Sequence, residues 1–209
     1  MRFLSIFKTR LTGFVYPQSI FRLPVSSKII FLTFDDGPSA SSTPFILNLL
    51  SRHQAKATFF CLGKNVEQNP ESFQTILKAG HRIGNHSYSH PNGWLTSASQ
   101  YAEDVDRCST LIESDLFRPP YGRITPFQFY QLRKKYKIVF WSQLVPDYDP
   151  GMQPQKEFKR LIKNVLPGSI LVFHDSEKAF PQMRQILPQF LDYYSSKGFR
   201  FEALPFQEK

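Results

Sequence analysis

Cysteine is almost absent: Cys61 and Cys108 are the only two in 209 residues. Two thiols without short spacing exclude a disulfide framework and a Cys-rich zinc site, and both read as buried apolar residues. No apolar run reaches the ~18 residues of a membrane helix. The start of the chain is basic and aromatic, with Phe3, Leu4, Ile6, Phe7 and Phe14 among Arg2, Lys8 and Arg10. It lacks the continuous apolar core and small-residue cleavage site of a secretory signal, so a cytoplasmic protein, or one peripheral at a membrane, is expected. Internal repeats, low-complexity tracts and linkers are missing. Acidic residues are in deficit, 17 against 26 Lys and Arg, for a formal charge of +9. That favours anionic neighbours, such as a membrane surface or a charged polymer, without bearing on the fold. No nucleic-acid recognition motif accompanies the charge, so nucleic acid is not an expected partner.

What is present is an alternating pattern. The chain is 41% hydrophobic, with 21 Phe and nine Tyr, enough for one domain with a sizeable core. Apolar strand candidates lie at 29–34, 57–62, 81–84, 115–118, 138–142, 169–173 and 199–203. Helical candidates run between them. Thr43-Pro44, Asn69-Pro70 and Thr125-Pro126 read as helix starts, and Gly80 and Gly198 as stops. A helix near 154–165 places Lys156, Lys159, Arg160 and Lys163 on one face and Phe158, Leu161, Ile162 and Val165 on the other. Strands alternating with helices predict an α/β fold with a mostly parallel sheet. Seven such units in this length predict a distorted (β/α)7 barrel, with the active site at the C-terminal ends of the strands. Residues 1–24 read as an N-terminal extension, packed on the barrel or facing a membrane, and 25–209 as the barrel domain. Oligomeric state is not legible.

The polar clusters fall where that fold would gather them. Asp35-Asp36-Gly37 follows the first strand, His86-Ser87-Tyr88-Ser89-His90 the third and Arg118-Pro119-Pro120-Tyr121 the fourth. Asp147-Tyr148-Asp149 lies beyond the fifth, and His174-Asp175 ends the sixth. His86 and His90 are four apart, a spacing that in a helical turn puts both imidazoles on one side. With a carboxylate from Asp35 or Asp36 they form a two-His, one-Asp set that leaves coordination positions open, suited to zinc or another divalent first-row metal. The second aspartate is then free to act as a base towards an attacking water. Arg118 would keep that base ionised and oriented, and His174 could protonate a leaving group.

Taken in order, TFDDG, HSYSH, RPPYG, the Asp-Tyr after Trp141, and LVFH resemble the polysaccharide deacetylases (NodB-homology domain, carbohydrate esterase family 4) over about Ile29 to Ala203. The resemblance implies a metal-dependent hydrolase that removes N-acetyl groups from an amino sugar or polysaccharide, with O-acetyl and formyl groups as variants of the same chemistry. It assigns Asp36, His86 and His90 as ligands of zinc, with cobalt or nickel as alternatives, and Asp35 as the base supported by Arg118. His174 becomes the acid and the Tyr121 amide an oxyanion donor, while Leu171, Tyr121 and Trp141 line the substrate side. One departure stands out. The family has Asp three residues after Trp141, where this chain has Leu144. Asp147, or less directly Asp175, is expected to take over near His174. Leu144 is also the one feature favouring a catalytically silent carbohydrate- or metal-binding barrel. An iron oxygenase triad fits the two-His, one-Asp set but leaves the separate base and acid unused.

Overall fold

A computed structural model describes residues 15–205. The strands are β1 (Ile29–Asp35), β2 (Thr58–Cys61), β3 (Arg82–Asn85), β4 (Leu116–Phe117), β5 (Lys137–Ile138), β6 (Gln143–Leu144), β7 (Ile170–His174) and β8 (Arg200–Glu202). The helices are α1 (Ser42–Arg52), α2 (Gly63–Gln68), α3 (Pro70–Lys78), α4 (Ala98–Ser109), α5 (Pro126–Leu132), α6 (Pro154–Asn164) and α7 (Phe180–Ser196). A 3-10 turn covers Pro120–Gly122. Seven strands follow the order β5-β4-β3-β2-β1-β7-β6, with β8 beside the start of β1. The pairings between them are parallel.

The order itself forces curvature. β5 and β6 stand at opposite ends of the path, yet only residues 139–142 separate them in sequence. A flat seven-strand sheet would be about 29 Å wide at ~4.8 Å per gap. Five residue steps span at most about 18 Å. The sheet therefore curls until its two edges nearly meet, which is the distorted seven-stranded barrel read from the sequence. The expected strand at 138–142 is not one strand but the seam itself. Val139 N–H bonds to Phe117 O on β4 at 2.9 Å, whereas Ser142 N–H bonds to Ile170 O on β7 at 3.0 Å. The backbone changes partners midway, so its apolar residues plug a gap instead of extending a ladder.

Strand alternation sorts the core into an inside and an outside. Ile29 and Phe31 of β1 face inward with Phe60, Leu116, Val139 and Ile170. Ile30, Leu32 and Phe34 face outward to Ile46, Leu50, Ile186 and Phe190 of α1 and α7. A second outer cluster joins Tyr101 and Val105 of α4 to Phe117, Phe129 and Ile138. Thr125 closes a full capping box with Gln128 at the start of α5. Cys61 and Cys108 are buried and free. α6 forms as predicted, but Arg160 folds back onto Glu157, Gln143 and the Leu144 carbonyl, so it does not extend the basic face of Lys156, Lys159 and Lys163. Residues 16–21 pack against the β5 side, and Arg22 and Leu23 pair with the segment before β7. Ile20 bridges Val139, Phe21 stacks on Phe140 with centroids 4.8 Å apart, and Tyr16 Oη donates to Ile124 O at 2.6 Å. The basic stretch before them lies outside the described residues. Among the described residues no helix is long and apolar enough to cross a membrane.

Candidate active site

Asp35 is the last residue of β1, and its odd position turns it inward with Phe31 and Thr33. Asp36 follows with φ 75°, a left-handed conformation that few non-glycine residues adopt. That reversal swings the second carboxylate to the same side as the first. The loop is held from two sides. Asn65 Nδ2 on α2 donates to Asp36 O at 2.6 Å, and Leu62 N–H donates to Gly37 O at 3.0 Å. Gly37 must be glycine, because a Cβ there would stand 2.3 Å from Asp175 Oδ2. Asp175 is itself fixed by Ser42 Oγ and Thr43 Oγ1 at 2.5 and 2.6 Å. Its burial is the main cause of a carboxyl pKa pushed up to about 6.

His86 and His90 reach Asp36 by a route other than the expected helical turn. The segment between them is an irregular loop with left-handed residues at Ser87 (φ 70°) and His90 (φ 65°). Asp104 of α4 clamps it, accepting from Tyr88 N–H, Ser89 N–H and Ser89 Oγ at 2.8, 3.0 and 2.6 Å. The two rings end 5.1 Å apart. Asp36 Oδ1 lies 3.7 Å from His86 Nε2 and 3.3 Å from His90 Nε2. That oxygen is buried and has no hydrogen-bond partner among the described residues. A buried carboxylate oxygen facing two imidazole nitrogens suits a cation, and ligand atoms of all three residues lie within 4.8 Å of one another. His86 Nδ1 is 2.8 Å from the Arg118 carbonyl. Its N–H donates there, which leaves Nε2 with a lone pair towards the cluster. Burial above all, then His90, lowers the His86 pKa to about 3, so the ring is neutral. Burial lowers His90 in the same sense.

Arg118 is fully buried across the barrel interior. Its NH1 donates to Asp35 Oδ1 at 2.6 Å and to Thr33 Oγ1 at 2.7 Å. Its Nε and NH2 hold the seam carbonyls of Val139 and Phe140 at 3.3 and 3.0 Å, and the guanidinium lies 4.1 Å over the Phe60 ring. Across the cleft, His174 ends β7. Asp147 Oδ1 is 2.6 Å from His174 Nδ1, and Oδ2 accepts the His174 N–H at 2.9 Å. Burial opposes the imidazolium, but the Asp147 bond and charge, helped by Asp36 and Asp35, outweigh it and raise His174 to about 9.

The remaining site residues divide. Asp35, Asp36, His86, His90, Tyr121, Trp141 and His174 line one cleft of about 450 Å³, together with Leu144 and Tyr148. Tyr121 has φ 58°, its ring packs 4.4 Å from that of His90, and its N–H has no acceptor among the described residues. Trp141 packs on Gly122, where a Cβ would meet the ring at 2.7 Å. Leu171 does not reach the cleft. It is fully buried in the outer core with Phe173, because a residue three before His174 on a strand points to the opposite face. The residues sharing the His174 face are Ile170 and Val172. Asp175 alternates away for the same reason and braces the Gly37 loop instead of meeting His174. Asp147 is the partner of His174, so Leu144 leaves that histidine with its carboxylate. Sequence reasoning also missed Asn65 and Asp104. The capping-type bonds they make to loop backbone have no signature without the fold. A second cleft of about 430 Å³, between Ile20, Leu23 and Tyr136, brings together no acid–base pair.

The Polysaccharide deacetylase family model matches residues 22–138. A peptidoglycan-N-acetylglucosamine deacetylase of Bacillus cereus is 34% identical over 194 residues, covering 87% of this chain and 69% of that protein. A second deacetylase of the same name and organism is 33% identical and covers 91% of both. A solved structure of a peptidoglycan N-acetylglucosamine deacetylase, in complex with 4-naphthalen-1-yl-N-oxidanyl-benzamide, superposes with a TM-score of 0.85 at 32% identity, covering 94% of this chain and 95% of that one. Fold, cleft and relatives agree, and the chain belongs to the polysaccharide deacetylase family.

Proposed function

We propose that this chain hydrolyses the N-acetyl amide of an amino sugar in peptidoglycan, releasing acetate and leaving a free amine. The observation that carries the reading is the pairing within one cleft. A base fixed by Arg118 and an acid fixed by Asp147 face each other across a three-residue cluster. Asp36, His86 and His90 would hold a divalent ion, zinc by donor type, with cobalt or nickel as alternatives. Such an ion polarises a carbonyl and makes water a stronger nucleophile. Asp35, oriented by the Arg118 hydrogen bond, accepts a proton from the attacking water as its oxygen bonds to the amide carbon. The Tyr121 N–H donates to the carbonyl oxygen as it gains charge. The C–N bond then breaks, and His174, protonated through Asp147, supplies the proton the departing nitrogen needs.

The substrate class follows the relatives, which are named for peptidoglycan N-acetylglucosamine and, in Bacillus subtilis, N-acetylmuramic acid. The decisive test is acetate release from peptidoglycan fragments, chitooligosaccharides and acetylated xylan, with metal content measured on the same preparation. Metal-loaded protein that releases no acetate from any of them would leave the silent-barrel reading standing. The exposed Lys156, Lys159 and Lys163 face of α6, with the basic start of the chain, supports peripheral contact with an anionic surface. Flotation with anionic vesicles at low salt should capture the protein and release it at high salt; no capture at low salt removes that idea. A peptidoglycan substrate favours such a peripheral site of action over a cytoplasmic one.

A further inference from the structure

Two cations stand at the mouth of the cleft, one on each flank, and the acid–base chemistry uses neither. Arg123 follows β4 and the 3-10 turn; Lys178 follows β7, on the other side of β1. Both line the cleft and both are exposed. The Arg123 guanidinium lies 5.0 Å from the Trp94 ring and 5.9 Å from the Tyr121 ring. The Lys178 ammonium lies 5.8 Å from the Tyr148 ring, which in turn stands edge-on to His174 at 4.9 Å. Neither cation has an ion pair among the described residues. Among the described residues, the only carboxylates lining the cleft are Asp35 and Asp36. The first belongs to Arg118 and the second faces the histidines, so neither is available to the rim. Glu177, beside Lys178, accepts from Ser39 Oγ at 3.0 Å.

The rings beside these cations are also unusually open. Trp94 is 62% exposed and Tyr121 60%. A flat exposed ring beside a free cation is what a sugar bearing a carboxylate needs. The apolar face of the pyranose lies on the ring, and the carboxylate meets the planar guanidinium fork in two parallel hydrogen bonds. We infer that the rim formed by Arg123 with Trp94, and by Lys178 across the cleft, binds carboxylates on the sugar units flanking the one deacetylated, so that this chain selects anionic over neutral amino-sugar polymers. A lactyl ether or a peptide carboxylate attached to a neighbouring sugar supplies such a group. The inference rests on the deacetylase reading above and adds to it the charge of the substrate.

The test compares one muramic-acid-containing glycan fragment with the same fragment after its carboxylates are converted to methyl amides. kcat/KM for acetate release is measured on both, for wild type, Arg123→Gln, Lys178→Gln and the double variant. Each exposed cation accounts for up to about fivefold of preference for the carboxylate form. Wild type should therefore favour the anionic fragment by about an order of magnitude at low salt. The preference should shrink at high salt and collapse towards one in the double variant, with the change in KM. Trp94→Ala should raise KM on both fragments alike. No preference in wild type, or an equal preference in the double variant, overturns the inference and leaves the cations as ring-packing surface groups. Should wild type release acetate from neither fragment, calorimetric titration of both fragments into Asp35→Asn protein still decides the question. Tighter binding of the carboxylate form, lost with Arg123 and Lys178, supports the rim; equal binding refutes it.

Discussion

Replacing Asp147 with asparagine keeps the size of the side chain and removes its charge. In the native cleft this carboxylate is 2.6 Å from His174 Nδ1, and its second oxygen accepts the His174 N–H. It does most to raise His174 from 6.5 to about 9 against the opposing effect of burial. Without it, His174 should return to its ordinary value or below. An acid catalyst acts in its protonated form, so the protonated share sets the alkaline limb of the pH–rate profile. At pH 8 that share drops from about nine-tenths to about one-thirtieth, whereas at pH 6 the two proteins differ by less than about twofold. Asp147→Asn should therefore lose roughly twentyfold at pH 8 beyond its loss at pH 6, as the limb moves down from near pH 9 towards 6.5. A pH-independent loss comes on top, because the amide offers one acceptor where two donors converge. The assay is kcat/KM for acetate release across the pH range, at equal metal content. Leu144→Asp is the control. His174 Nδ1 already has Asp147, so a carboxylate at 144 should leave the limb where it is. An alkaline limb in Asp147→Asn that coincides with wild type would refute the assignment of His174 as the acid.

Five other substitutions separate the roles of the residues in and around the cleft. Asp35→Asn should keep metal and lose about 10²–10⁴-fold in turnover, while Asp36→Asn or His90→Ala should lose metal by elemental analysis; equal metal loss in Asp35→Asn would exchange the two aspartates. Arg118→Met leaves Asp35 buried without its counter-charge and should cost about 3–5 kcal/mol of stability in urea unfolding. Asp104→Ala frees the loop between His86 and His90 and should weaken metal affinity by about 10–100-fold with little change in melting temperature.

How much was legible depends on what each residue needed in order to be seen. Asp35, Asp36, Arg118 and His174 sit at strand ends, and a strand followed by a polar cluster is a local signal. The His86–His90 spacing pointed to a shared ligand face for a reason the structure replaces. Left-handed turns at Ser87 and His90, clamped by Asp104, bring the rings together without a helix. Leu171 was placed by motif position, yet strand parity sends it to the outer core. α2 was missed because Gly63-Lys64-Asn65-Val66-Glu67-Gln68 is polar and short, with too little periodicity to count. Val139 to Trp141 read as a strand because they are apolar, and only closure of the sheet reveals why they must be.

Arg118 ties that closure to the chemistry. The side chain that orients Asp35 through one nitrogen holds the carbonyls of Val139 and Phe140 through the others. Over evolutionary time this makes the routes to inactivity unequal. A chain of this kind can drift to silence through Asp35, the histidines or His174 and still close its barrel, because those side chains sit at or beyond the ends of strands already paired and none of them holds the seam. Loss of Arg118 releases the base from its orientation and opens the seam together, so descendants without it would be cleared as unstable proteins before selection could act on their catalysis. Among sequences that have given up the reaction, this arginine should outlast the aspartate it serves.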